Sequence, residues 1–395
     1  MEYNFANRIS GLAPSAIREI LKFTSDPEVI SFAAGNPAPE AFPIEEAKII
    51  TKKIFDSTPI QALQYGLTEG YTPLRDKILD YMKQKHNVGR DFDSIVITSG
   101  AQQVMDLATK VLCNEGDMII CEEPSFIGSL NCFKSYGANL CGVKIDSDGM
   151  NLDMLEEKLN EHKNAKFIYT IPNFQNPSGV TMSFEKRKKL YEIAKKYDKL
   201  ILEDNPYGDL RVEGGQVPPI KSLDEDGRVI YAGSFSKLFS PGIRVGYVIA
   251  PSKLLAKMIV GKQTSDVHTT MFCQMVVYEW MQNYDIDTHI KKMQDIYRKK
   301  LNLMCDMLDA ELSGFLTYNR PQGGLFIWAK LPDGVNMQEF CKKAVMNKVA
   351  VVPGSAFMTD EDIPTQYVRL NFSTPSDDDI VKGIKILAEV AKEYK

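Results

Sequence analysis

The chain predicts an α/β fold, with a largely parallel sheet covered by helices on both faces and a smaller α+β domain after it. Three observations carry this reading. From Ile95 to Ile249, short apolar runs alternate with helix-length segments, the pattern of a parallel sheet whose crossovers cover both faces. One long helical stretch, from about Asp285 to Leu312, then separates this region from the remainder. The length of 395 residues suits two or three domains with sizeable cores.

The elements follow in order. Ile95-Val96-Ile97-Thr98 reads as a strand and Ala101 to Asn114 as a helix. Met118-Ile119-Ile120-Cys121 is the next strand, with a helix through Leu130 behind it. Leu140 to Ile145 is a strand, Leu152 to Asn160 a helix, and Phe167-Ile168-Tyr169-Thr170 a strand. Phe184 to Tyr197 places Leu190, Ile193, Ala194 and Tyr197 on one face, the spacing of an amphipathic helix. Strands follow at Leu200–Leu202, Val229–Tyr231 and Val245–Ile249. The C-terminal third gives strands at Gly324–Trp328, Ala350–Val352 and Tyr367–Leu370, with helices from Met337 and from Asp377. The segment before about Pro43 is too short for a core of its own and is expected to pack on the C-terminal part.

Composition narrows the function. The net charge of −5, with no basic block, argues against nucleic acid and against an anionic membrane surface. No apolar run approaches the roughly 20 residues of a membrane helix, and Met1-Glu2-Tyr3-Asn4-Phe5 does not read as a signal peptide. Seven cysteines without a C-x-x-C pair suit reduced, mostly buried thiols in a cytoplasm. The four histidines match no ligand spacing, so no dedicated metal site is expected.

The chemistry concentrates at Ser234-Phe235-Ser236-Lys237-Leu238-Phe239-Ser240-Pro241-Gly242-Ile243-Arg244. Lys237 lies just past a strand end, where α/β sheets place their active sites. Ser234, Ser236 and Arg244 supply donors and a charged fork suited to a phosphate. A lysine beside a phosphate anchor suits a Schiff base with a phosphorylated aldehyde, and pyridoxal phosphate (PLP) is the candidate.

Five further stretches fit the same cofactor. Thr98-Ser99-Gly100-Ala101-Gln102 turns from strand into helix, and free N–H groups there favour an anion; an ordinary capped helix reads the same. Asp204 ends an apolar strand, where a carboxylate can pair with a pyridinium nitrogen or simply cap a helix. Tyr207 and Asn176 can donate to the ring oxygen, although Asn176-Pro177-Ser178-Gly179 is also a common turn and Tyr207 an ordinary packing residue. Phe126 can stack on a ring or sit in a core. Arg369, between apolar neighbours on a strand, calls for an anion, either a substrate carboxylate or a structural acid.

The joint order of these residues resembles the class I/II aminotransferases of the fold-type-I PLP superfamily, over about Ala13 to Phe372. Within it the chain looks most like the 2-aminoadipate, kynurenine and broad-specificity aminotransferase group. The stretches behind that closer match are Pro14 to Lys22, Ser31 to Glu40 and Gln64 to Tyr71. The resemblance implies a mostly parallel seven-stranded sheet in a large PLP-binding domain, residues 44–284. It implies a small C-terminal domain at 285–395 and an N-terminal segment at 1–43 packed on it and on the substrate site.

It also implies roles. Lys237 forms the Schiff base, Asp204 holds the pyridinium, and Asn176 and Tyr207 bond the ring oxygen. The Ala101 and Gln102 N–H groups, Ser234, Ser236 and Arg244 hold the phosphate, and Arg369 binds the substrate α-carboxylate. Gly35 leaves room for substrate. Tyr65 reaches the neighbouring subunit's cofactor in a homodimer. Arg18 lies in the segment that meets the distal end of dicarboxylic substrates in some relatives, and that segment is expected to be mobile until substrate orders it. The chain departs from relatives that carry serine in place of Ala101 or tyrosine in place of Phe126, which removes one phosphate hydroxyl and one phenolic hydrogen bond. A β-lyase or decarboxylase shares the fold and the lysine. An aminotransferase-like regulatory domain is the reading from another class, and the acidic balance opposes it. The implied reaction moves an amino group between an L-amino acid (2-aminoadipate, aromatic or large aliphatic) and a 2-oxo acid such as 2-oxoglutarate.

Overall fold

A computed structural model describes residues 3–10, 12, 26–360 and 362–394. Arg18 and the stretch Pro14 to Lys22, with the expectations placed on them, lie outside the described residues. The first strand, β1 (Ile30–Ser31), pairs far from itself in sequence, as given below. The large sheet is built from β2 (Asp93–Thr98), β3 (Met118–Glu123), β4 (Asn139–Asp146), β5 (Gly149–Met150), β6 (Ala165–Thr170), β7 (Leu200–Asp204), β8 (Val229–Ser234) and β9 (Gly246–Pro251). Its order is β2-β9-β8-β7-β6-β3-β4-β5. Neighbours from β8 to β4 run parallel, whereas β9 is antiparallel to both β2 and β8. The expected seven strands are therefore present, with the two-residue β5 added at one edge.

The central strands are buried on both faces. Ile119, Ile120 and Cys121 of β3, Phe167, Ile168 and Tyr169 of β6, and Ile201 and Leu202 of β7 are all inaccessible. This is why they read as unbroken apolar runs rather than alternating ones. Helices Ala101–Leu112, Ile127–Ser135, Leu152–Glu161 and Phe184–Lys196 connect them. The helix after β3 starts later than expected and runs beyond Leu130 to Ser135, because the chain first crosses Pro124-Ser125-Phe126.

After the helix Ile286–Glu311 come β10 (Thr317–Tyr318), β11 (Phe326–Lys330), β12 (Val349–Ala350), β13 (Val352–Pro353) and β14 (Tyr367–Asn371). Four of them form a sheet in the order β10-β11-β14-β13, and β12 instead pairs in parallel with β1. The single strand expected at Ala350–Val352 is thus two short strands serving two sheets. Helices Met337–Met346 and Asp377–Ala391 cover this part.

Five strand ends converge on one edge: Thr98, Glu123, Thr170, Asp204 and Ser234 close β2, β3, β6, β7 and β8. The segments leaving those ends meet the small sheet across a cavity, the place α/β folds reserve for ligands.

Candidate active site

The cavity holds about 330 Å³. Gly35, Ala101, Gln102, Phe126, Asn176, Asp204, Tyr207, Ser234, Ser236, Lys237, Arg244 and Arg369 all line it. The fold therefore brings together twelve of the candidate residues from seven separate stretches. Tyr65 does not line it. It is 80% exposed on the outer surface, edge-on to His268 at 5.7 Å between ring centroids.

At one end lies the turn after β2. Gly100 has φ +81°, and a Cβ there would sit 2.1 Å from Arg244 Nη2. Only glycine admits that guanidinium. Arg244, itself at φ +52°, donates through Nη2 to the Ser99 carbonyl at 2.9 Å and through Nη1 to Ser236 Oγ at 3.2 Å. The Ser236 N–H donates to Ser234 Oγ at 3.1 Å. The helix Ala101–Leu112 starts here with no side-chain cap, so its first N–H groups stay open to a ligand.

Asp204 lies at the other end, 4% exposed. Its Oδ2 accepts from Tyr169 OH at 2.9 Å, and Tyr169 OH also pairs with Ser129 Oγ at 2.8 Å. Its Oδ1 is buried and has no hydrogen-bond partner among the described residues. Burial pushes the carboxyl up to about 7, partly offset by the Tyr169 hydroxyl. A buried carboxylate oxygen without a partner is costly, and a cationic N–H aimed at it would remove the cost. The ring nitrogen of PLP is such a group, so the site fits the cofactor.

Lys237 donates from Nζ to the Gly35 carbonyl at 2.6 Å. Burial first, then the Arg369 and Arg244 charges, pull its pKa down to about 8. A Cβ on Gly35 would meet the Phe326 ring at 3.4 Å, an ordinary contact.

Arg369 is 2% exposed and lies on β14, directly opposite Trp328 of β11. Its Nη1 donates to Asn176 Oδ1 at 2.9 Å and its Nη2 to the Ala33 carbonyl at 2.7 Å, both neutral. Its Nε is buried without a partner among the described residues. The guanidinium is sandwiched between Phe326, 4.2 Å from the ring centroid, and Phe357 at 4.9 Å. Burial lowers its pKa to about 10, so it stays cationic at neutral pH. Asn176 Nδ2 reaches toward Tyr207 OH at 3.5 Å, which ties the two ring-oxygen candidates to this arginine.

Sequence reasoning missed Tyr169, Phe326 and Phe357. The one signal in the sequence is a phenolic hydroxyl within the buried run of β6; its link to Asp204 depends on the register that sets Tyr169 beside Leu202, two residues before Asp204. The two phenylalanines carry no such signal.

Residues 27–387 match the family described as aminotransferase class I and II. The aromatic-amino-acid aminotransferase 1 of Thermococcus litoralis is 42% identical over 99% of this chain and 95% of that protein. The kynurenine aminotransferase of Pyrococcus horikoshii, solved with PMP and kynurenine, superposes with a TM-score of 0.95 at 37% identity, over 99% of this chain and 97% of that one. The α-aminoadipate aminotransferase LysN of Thermus thermophilus, solved with a phosphopyridoxyl-leucine, gives 0.91 at 34% identity over 98% and 97%. The chain belongs to the class I and II aminotransferases. It is a transaminase, and its cofactor is pyridoxal phosphate.

Proposed function

We propose that this enzyme moves amino groups between glutamate or 2-oxoglutarate and a broad second partner: aromatic amino acids, 2-aminoadipate and large aliphatic amino acids. The observation that carries the reading is Arg369, a buried guanidinium with no acid partner among the described residues and an unused Nε. Such a cation is expensive unless an anion completes it. The carboxylate common to all amino acids does so, and the names of the relatives above support the substrate range.

The roles follow from the chain's own groups. Asp204 Oδ1 would hold the ring nitrogen, with Tyr169 fixing the other carboxylate oxygen. Asn176 and Tyr207 would hold the ring oxygen, and Phe126 would cover one face of the ring. The Ala101 and Gln102 N–H groups, Ser234, Ser236 and Arg244 would hold the phosphate. Once bound, PLP supplies an electron sink for a negative charge at the substrate α-carbon. Lys237 would anchor the cofactor, and its amine would take up and return the proton at the substrate α-carbon. Its lowered pKa keeps a large fraction of the amine neutral near pH 8. Gly35 would face substrate beside Lys237. Arg18 would meet distal carboxylates.

The enzyme works as a homodimer in this reading. Ile60, Leu63, Tyr65, Leu67 and Val267 are large, exposed apolar groups, and a cluster of that kind marks an interface. Tyr65 then completes the phosphate site of the partner subunit. Sedimentation of the active enzyme at nanomolar concentration should show a dimer, and a fully active monomer would contradict the assignment. Tyr65→Phe should weaken cofactor binding by about 1–3 kcal/mol, the scale of one hydrogen bond to a charged group. All seven cysteines are free, which suits a reducing cytoplasm. Among the described residues no helix is long and apolar enough to cross a membrane.

The deciding experiment is a substrate screen with 2-oxoglutarate as acceptor. Kynurenine, phenylalanine, 2-aminoadipate and leucine should all be donors, with kcat/KM within about two orders of magnitude of each other. A hydrophobic pocket discriminates by only about 10–200-fold for one methylene. Activity confined to one donor class would overturn the broad reading.

A further inference from the structure

The two sheets meet at a seam beside the cavity. Strand β3 ends in Glu123, and Thr359, in the loop before β14, donates both its N–H, at 3.2 Å, and its hydroxyl to Glu123 Oε1. Two residues along, the Ser125 N–H donates to the Phe357 carbonyl at 2.8 Å. Around these bonds Ala33, Ile127, Ala350, Val352, Ala356 and Phe357 form a small buried core, with Phe126 and Trp328 packed against it. The Phe357 ring has Arg369 on one side, at 4.9 Å, and the edge of Trp328 at 5.7 Å. One arm of the seam therefore delivers Phe126 to the cavity, and the other forms the wall behind Arg369.

The sequence makes room for the carboxylate at this seam. Gly142 lies on β4, next to β3, and a Cβ there would come within 2.6 Å of the Glu123 carboxyl carbon. That is closer than real Cβ contacts come, so any larger residue forces Glu123 to shift.

We propose that Glu123 and Thr359 are positioning residues for transamination. They latch the sheet carrying Arg369 onto the strand end carrying Phe126, and so set the distance between the substrate carboxylate and the cofactor ring. The inference rests on the roles proposed above for Arg369 and Phe126. Both bonds converge on one oxygen, Glu123 Oε1, so a single side chain holds both donors of Thr359. Releasing them loosens the arginine without touching substrate or cofactor.

The test uses the holoenzyme with an amino acid donor and 2-oxoglutarate. Thr359→Val and Gly142→Ala should lower kcat/KM for both substrates by roughly tenfold to a hundredfold, the cost of a misplacement near 1 Å, and the loss should appear as a raised KM. Their kcat should stay within about threefold of the parent, and the absorbance of bound cofactor should be unchanged. Thr359→Ser keeps both donors and should restore the parent KM. Arg369→Ala serves as the control for the underlying assignment, and its KM should rise as well. If Arg369→Ala leaves KM unchanged, the carboxylate assignment fails and the latch falls with it. If Arg369→Ala raises KM while Thr359→Val only lowers Tm, the seam is a structural staple and the proposal is overturned. Thr359→Ser as damaging as Thr359→Val overturns it too.

Discussion

Lys237→Ala should lower turnover by at least about 10⁴-fold, the upper scale of general acid–base catalysis, because the anchor is lost along with the proton carrier. The reason lies in the surroundings of the amine. Among the described residues its only hydrogen-bond acceptor is the neutral Gly35 carbonyl, and burial, followed by the Arg369 and Arg244 guanidinium groups, pulls its pKa down to about 8. The purified enzyme should be yellow, and borohydride should fix the cofactor onto Lys237, as mass mapping will show. A label on any other lysine would overturn the assignment. The lowered pKa also sets a pH dependence. Only the neutral amine attacks, so cofactor capture by the apoenzyme should rise about tenfold per pH unit below 8 and level off above it. A rate still climbing at about pH 10 would mean that Lys237 keeps the pKa of an exposed lysine.

Asp204→Asn should slow the removal of the α-proton by roughly 10²- to 10⁴-fold. This corresponds to about 3–5 kcal/mol, the cost of breaking a buried charge pair. Asparagine keeps the shape and the bond from Tyr169 but offers no charge to a ring nitrogen. Cofactor should still bind through the phosphate cradle, so the bound absorbance should survive while single-turnover rates collapse. Near-normal rates in the variant would refute the role. Tyr169→Phe should show the same defect on a smaller scale, since it removes the hydroxyl's bond to the Asp204 carboxylate, worth about 1.5–3 kcal/mol, together with its pairing to Ser129.

Much of this site was legible because its residues sit at strand ends inside continuous motifs. Ser234 to Arg244 is one segment, and its serines, lysine and arginine meet in space with few long-range requirements. The strand runs of the large sheet were legible for the opposite reason: burial on both faces leaves them uniformly apolar. The helices Ile44–Ser57, Thr72–His86 and Met271–Asn283 were not picked out. The last is apolar nearly all round, with seven of its residues buried, so it shows no stripe. The split of Ala350–Val352 between two sheets also left no trace, because Val349 to Val352 are all buried and their pairing partners are remote. Tyr169 belongs to the same class. Its importance depends on the register of β6 against β7, which a single chain read in order does not display.

The pairing of β1 with β12 has a further consequence, during synthesis. Ala33 accepts a hydrogen bond from Arg369, 336 residues away, and Ile30 finds its partner only at Val349. The large sheet can condense as soon as Pro251 has emerged, but the opening segment must wait for nearly the whole chain before it has anywhere to dock. At about 5–20 residues per second, that wait lasts tens of seconds on the ribosome. During it Phe32 and its apolar neighbours have no partner surface. The enzyme's yield in a cell should therefore depend on whatever shields the nascent amino terminus, and C-terminal truncations should cost far more solubility than the few residues removed would suggest.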